Sequence, residues 1–265
     1  NLSIRKIPVN YASLDDYADN ELVAEEANQL ISVTEVDLPT VGLIGHYRND
    51  SIVPTGVNVT AWVDVISGNN LTVLAGTPLY ILDAKNGFVG ARMNGGTLQG
   101  NSPFSALGGA GHDMIFAVVQ QNVFDAGDNL LHTSTPAATD IQGIRQGTTS
   151  PGLVAFIQTD ISAENILLPL GNFDIIRYAG DLAAPVGFMD VLGNGLISTA
   201  ASPGATQGTK FNLGPADVTF LEVLCYDGNL IASVEDVYQH LLGKFSLGIV
   251  LPMTVDSGNP WLDNE

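Results

Sequence analysis

The sequence has little charge, and very little of that charge is positive. Asp, Glu, Lys and Arg make up only 14% of its 265 residues, against roughly 25% in an average protein. Nine basic residues stand against 28 acidic ones, which leaves a net charge of −19. Intrinsic disorder is excluded, because it requires low hydrophobicity and abundant charge. Direct, sequence-specific binding of nucleic acid is disfavoured, because phosphate binding needs clustered Lys and Arg.

Cysteine and long apolar runs are scarce as well. The single cysteine, Cys225, excludes an internal disulfide framework. It lies in an apolar run over residues 218–226, which predicts a buried core residue. No stretch approaches the roughly 18 uninterrupted apolar residues that a membrane-spanning helix needs, so no transmembrane segment is predicted.

Alternation of apolar and polar residues is the main pattern beyond residue 33. Over residues 57–65, Val or Ala occupies every second position, which is the period of a strand with one buried face. Asn or Asp beside Gly, as at residues 85–87, supplies the positive φ of tight turns. This pattern predicts a mainly β chain, folded as an antiparallel β-barrel or a jelly-roll sandwich. Further strands are predicted over residues 71–74, 78–82, 88–92, 114–119, 153–158, 173–178, 186–191, 196–199, 218–226 and 247–251.

Three regions are predicted along the chain. Residues 1–36 form an extended arm followed by a helix, residues 37–255 form the β body as one barrel or two smaller ones, and residues 256–265 form a polar tail. A late short helix begins after Ser233, whose side chain can cap it. Gly243 is predicted to end that helix as its left-handed residue.

The arm and three long loops are the predicted contact regions. The arm is expected to dock on a neighbouring subunit or, alternatively, to fold back on its own domain. Residues 95–110, 133–151 and 198–208 are rich in Gly, Ser and Thr and hold few ionisable side chains, which favours protein contacts over catalysis. The assembly residues of the arm are Ile4, Arg5, Lys6 and Ile7.

Metal and catalytic signals are sparse. Residues 108–116 fit one copy of the calcium-binding β-roll nonapeptide, with Asp113 as the carboxylate ligand, and the alternative is a Gly-rich loop entering a strand. Asp125 and Asp128 could likewise hold a cation, or they could be solvated turn residues. The sequence contains no His-Glu-x-x-His, P-loop or Gly-x-Ser-x-Gly motif. We therefore predict no catalytic residue and no cofactor, and these three aspartates are only candidate calcium ligands.

Two stretches resemble virion structural proteins of double-stranded DNA viruses, namely capsid jelly rolls and the decoration or cement proteins of phage heads. They are residues 74–82 (LAGTPLYIL) and residues 180–188 (GDLAAPVGF). The resemblance implies a non-enzymatic virion protein located in the capsid. It would act by self-assembly through arm, loop and tail contacts, with copies of itself and other virion proteins as partners. A closed homo-oligomer would repeat one symmetric interface.

Two other functions are compatible with an acidic β protein. The first is an extracellular or cell-surface adhesion or surface-layer protein. The second is a β-sandwich polysaccharide hydrolase, which would need a cleft with paired carboxylates.

Overall fold

A computed structural model provides the structure of the chain. It describes residues 36–110, 112–136, 140–157, 160–161, 166–181, 186–191, 196–200 and 208–247. The predicted assembly arm with Ile4, Arg5, Lys6 and Ile7, the helix predicted within residues 1–36 and the tail 256–265 lie outside these residues. In the described part of the chain, no helix combines the length and the apolar character needed to cross a membrane.

Antiparallel strands account for most of the described chain, and one α-helix follows the last of them. The predicted fold class is therefore confirmed: the protein is mainly β, with a closed antiparallel barrel and a late helix. A 3₁₀ segment covers Pro103–Ala110, and helix α1 covers Val234–Phe245. The strands are β1 (Leu43–Thr55), β2 (Asn58–Asp64), β3 (Leu71–Ala75), β4 (Leu79–Lys85), β5 (Phe88–Arg92), β6 (Thr97–Asn101), β7 (His112–Gln121), β8 (Asn129–Ser134), β9 (Asp140–Gln146), β10 (Gly152–Ile157), β11 (Asp160–Ile161), β12 (Ile166–Leu167), β13 (Phe173–Asp181), β14 (Val186–Val191), β15 (Leu196–Ala200), β16 (Lys210–Leu213) and β17 (Val218–Asp227).

Hydrogen-bonded ladders run around the barrel in a continuous order. One half, the helix-covered sheet, has the strand order β15–β14–β13–β7–β17–β1. Strand β2 pairs with β1 and β3 and leads into the other half, the amide sheet, of order β3–β6–β16–β8–β9–β10. Strand β10 lies beside β14 and β15, which brings the two ends of this series together.

Apolar side chains of both sheets fill the barrel. Tyr47, Trp62 and Phe211 are fully buried there. The Tyr47 ring stacks on Phe211 at 5.9 Å and meets Trp62 edge-on at 6.2 Å, which are favourable geometries for aromatic pairs. Cys225 is a buried free thiol in the same core, as its apolar run predicted.

Helix α1 covers the outer face of the helix-covered sheet. Its buried side chains pack on residues of β7, β13 and β17, and Phe116 meets Tyr238 edge-on at 5.4 Å. Ser233 caps the helix as predicted, since its hydroxyl accepts a hydrogen bond from the Asp236 backbone N–H. The prediction that Gly243 ends the helix is wrong. The helix continues for two more residues, because Phe245 is buried against the sheet and Ser246 adopts the left-handed cap at φ 55°.

All three predicted long loops contain regular structure. Residues 198–200 of the last one belong to β15, and residues 201–207 lie outside the described part of the chain. Residues 95–110 include β6 and the 3₁₀ segment, and residues 133–151 include the end of β8 and all of β9. The loop prediction was wrong there because few apolar residues mark the buried side of these strands. Leu98 is the core residue of β6, and β9 buries Gln142 and Gln146 beside Ile144. The predicted turn at 85–87 is confirmed, with Asn86 at φ 52° and Gly87 at φ 84° between β4 and β5.

A polar face on the amide sheet as the candidate binding site

A row of polar side chains crosses the outer face of the amide sheet. Strand register sets Thr72 opposite Gln99, Gln99 opposite Asn212, and Asn212 opposite His132. Opposed residues of antiparallel strands point to the same side of a sheet. The residues that alternate with this row, such as Leu98 and Leu131, lie in the core, so the row points away from it. We call Thr72, Gln99, Asn212 and His132 the amide row.

Hydrogen bonds between side chains fix the two amides of this row. Gln99 Nε2 donates to Asn212 Oδ1 at 2.8 Å, and Asn212 Nδ2 donates to Ser134 Oγ at 3.0 Å. On the next register line, Lys210 Nζ donates to Asn101 Oδ1 at 2.9 Å. A satisfied polar network of this kind holds its donors and acceptors in one arrangement.

Exposure of the amide row changes from one end to the other. Thr72 on β3 is exposed and Gln99 on β6 is half-buried, whereas Asn212 and His132 are only 2% and 7% exposed. Asn101 beside them is exposed. The face therefore has an accessible edge on β3 and β6 and a buried, hydrogen-bonded support on β16 and β8.

Apolar side chains continue this face beyond Thr72. Val53 of β1 lies on the same register line through Ala61 of β2, and Val53 is 43% exposed. On β3, Leu74, two residues after Thr72, is also exposed. Small-molecule sites combine apolar surface with a few well-placed polar groups, and this face offers both.

The three aspartates that the sequence marked as calcium candidates do not lie together. Asp113 is buried near the start of β7, where its carboxylate accepts a hydrogen bond from Gln142 Nε2. Asp125 and Asp128 lie in the turn beyond the other end of β7, and at about 3.3 Å per residue the strand between Asp113 and that end is roughly 25 Å long. Among the described residues, no three His, Cys, Asp or Glu side chains form a group that could hold a metal ion.

Two buried charged clusters lie between helix α1 and its sheet, and sequence reasoning missed both. In the first, Glu222 on β17 accepts hydrogen bonds from His46 Nε2 at 2.8 Å and from Lys244 Nζ. In the second, Asp190 on β14 accepts from Arg177 at 3.0 Å and from the Tyr238 hydroxyl at 2.9 Å. Each cluster joins the helix to the sheet, so we assign them to helix docking.

The sequence signal for the amide row was equally weak. Its residues come from four strands that are distant in sequence, and only the ladder register aligns them. Gln99 and His132 fell in or beside segments without apolar alternation, so only a correct strand pairing could have found the row.

Comparison with known proteins gives a fold and no family. No family model and no curated protein matches the sequence. Solved structures of Trypanosoma rangeli sialidase match it, the enzyme alone at 15% identity and a TM-score of 0.53 over 78% of this chain. The same sialidase bound to the inhibitor DANA matches at 16% identity and a TM-score of 0.53 over 80% of this chain. Domain 4 of the arabinanase AbnA from Geobacillus stearothermophilus matches over 76% of this chain and 98% of its own, but at 13% identity and a TM-score of 0.45 the likeness is too low to support an argument.

The sialidase match corrects one prediction. The chain spans about a third of the sialidase, 33% in the structure without ligand. The prediction that the chain is not an enzyme is contradicted, because the matching solved structures are those of an enzyme. At this identity the likeness establishes a shared fold.

Proposed function

We propose that this chain is a glycan-binding β-barrel module, acting at a cell surface or within a carbohydrate-active enzyme, and that the amide sheet is its binding face. The observation that carries the proposal is the amide row, an outward line of amide and hydroxyl side chains next to exposed apolar ones. Sugars present hydroxyl groups that both donate and accept hydrogen bonds. Amide side chains match them, because each has two donor hydrogens and an acceptor oxygen.

The fold gives independent support to this proposal. The sialidase that shares it has been solved with sialic acid and with the inhibitor DANA, so a chain of this fold occurs in a protein that acts on a sugar. The similarity to the sialidase is one of fold only, and a shared fold does not establish a shared function. The evidence for the binding site is therefore the side chains of the amide row. The virion interpretation stays a prediction, because none of the described features tests it.

An array of immobilised polysaccharides tests the proposal. The wild-type protein should be retained by at least one of cellulose, xylan, dextran, polygalacturonate and a sialylated glycan. Gln99→Ala should weaken that binding about tenfold, the effect of about 1.4 kcal/mol of lost hydrogen bonding. Gln239→Ala is the matched control, because Gln239 is an amide on α1 that bonds to Glu235 on the same helix. The proposal fails if no polysaccharide is retained, or if the two variants bind alike.

A further inference from the structure

Acidic residues are unevenly divided between the two sheets. The six strands of the amide sheet contain one, Asp140, at the first position of β9. This is so although the whole chain has 28. In the helix-covered sheet the acidic residues are Asp50, Asp113, Asp174, Asp181, Asp190, Glu222 and Asp227.

Two of the few basic residues of the chain belong to the amide sheet and flank the amide row. Lys210 lies two residues before Asn212 on β16. Arg145 lies two residues after Gly143 on β9, and Gly143 is the register partner of His132. Strands β16 and β9 both pair antiparallel with β8 and so run in the same direction. The two basic side chains therefore lie on opposite sides of the row.

The side chains of Lys210 and Arg145 contact an amide and an aromatic ring, respectively. Lys210 is half-buried and bonds to the neutral amide of Asn101, and the Arg145 guanidinium lies 5.5 Å from the centre of the Phe156 ring. Screening at physiological salt acts over about 8 Å, and packed sheets lie about 10 Å apart. A ligand on the amide row is thus influenced more by Lys210 and Arg145 than by the carboxylates of the opposite sheet.

From this arrangement we infer that the ligand of the amide row is an acidic glycan, whose carboxylate or sulfate groups bind Lys210 and Arg145 on either side of the row. The inference rests on the proposed glycan-binding function and adds the charge of the ligand. Elsewhere the protein, at a net charge of −19, repels such a polymer. The amide sheet, whose strands contain few acidic residues, is then also the side from which the polymer approaches. We call this side the acid-poor face.

Calorimetric titration with matched glycans tests the inference. Polygalacturonate and its fully methyl-esterified form share one backbone and differ in charge, and dextran sulfate with dextran forms the corresponding sulfate pair. At least one acidic polymer should bind about tenfold tighter than its uncharged partner. Its affinity should fall several-fold between about 50 and 500 mM NaCl, as expected for screened charges. The acidic polymer that binds identifies the anionic group.

Variants separate this inference from the function on which it rests. Lys210→Met and Arg145→Met should each weaken binding of the acidic polymer about three- to tenfold and leave the uncharged one unchanged. Lys85→Met is the matched control, since Lys85 ends β4 outside the amide sheet. Equal, salt-independent affinity of the wild-type protein for charged and uncharged glycans would overturn the inference and keep the proposed function. Absence of binding to every glycan would overturn both.

Discussion

At the scale of single residues, helix α1 is held on the sheet by a carboxylate that is buried between two basic side chains. Glu222 has no exposed surface, and it bonds to His46 on β1 and to Lys244 on α1. Burial by itself would raise the pKa of Glu222, but the hydrogen bond from His46 and the charge of Lys244 outweigh it and lower that pKa. A buried charge is tolerated only when it is paired in this way.

Glu222→Gln should therefore destabilise the protein. Neutralising the carboxylate leaves Lys244 without its charged partner, and we expect the free energy of unfolding to fall by about 3 kcal/mol at pH 7. Because the pKa of Glu222 is lowered in the folded state, this stabilisation is present above its ordinary pKa and is lost as pH falls through the lowered value. Urea unfolding of both proteins between pH 3 and pH 7 measures the difference.

Asp50→Asn is the control for that measurement. Asp50 pairs with Arg48 at 2.5 Å, but both side chains are largely exposed, at 57% and 44%. Such pairs contribute about 0.5 kcal/mol or less. Equal effects of the two substitutions would contradict the anchoring role of Glu222.

A half-buried carboxylate on β13, that of Asp174, has the opposite effect on the pH dependence of stability. Burial raises the pKa of Asp174 to about 6, and the negative charge of Asp190 contributes to this rise. The hydrogen bond from the Ile175 backbone N–H lowers the pKa but only partly offsets the effect of burial. Between about pH 4 and pH 6 the folded state therefore binds more protons than the unfolded state, and stability falls as pH rises through that range.

Asp174→Asn should remove this pH dependence. The amide oxygen can still accept from the Ile175 N–H, and we expect a gain of about 1 kcal/mol at pH 7 after allowing for solvent screening. Thermal unfolding across pH 4 to 7 measures it, with the exposed Asp37→Asn as the control. The account would be contradicted if the stability of the wild-type protein, relative to that of Asp174→Asn, rose between pH 4 and pH 7.

At the scale of strands and helices, the sequence predicts strands that have a clearly apolar buried side and misses the more polar ones. Strands such as β2 and β17 were predicted, because their buried residues alternate or form an apolar run. Strands β6, β9 and β16 were missed, since they are short or have few apolar residues on their buried side. Gly143 in β9 is an example of a residue that the local sequence cannot explain. A Cβ there would lie 2.2 Å from the Leu131 carbonyl oxygen, so glycine is required by the close approach of the neighbouring strand β8.

The end of helix α1 provides a test of the corrected boundary. Gly243 lies inside the helix, and a Cβ added there would have no neighbouring atom within 4 Å. Gly243→Ala should therefore raise the free energy of unfolding by about 0.5–1 kcal/mol, because alanine is the better helix former. If Gly243 were instead the left-handed residue that ends the helix, Gly243→Ala would lower the free energy of unfolding. Chemical denaturation of the two proteins decides between them.

Charge distribution is the feature of the whole molecule that composition could not predict. The net charge of −19 follows from counting residues, but the acid-poor face appears only when six strands of different sequence position come together. The same is true of the candidate site, whose residues span 72 to 212. Fold class could be predicted from local periodicity, whereas the site depends on non-local register.

The central claim is that the amide row binds a glycan, and nuclear magnetic resonance of the side-chain amides tests it most directly. On titration with oligogalacturonate and, separately, with xylo-oligosaccharide, at least one sugar should shift the resonances of Gln99, Asn101 and Asn212. The amide of Gln239 on α1 should stay unchanged. Shifts that concentrate on α1, or amide-row resonances that do not move with either sugar, would contradict the account.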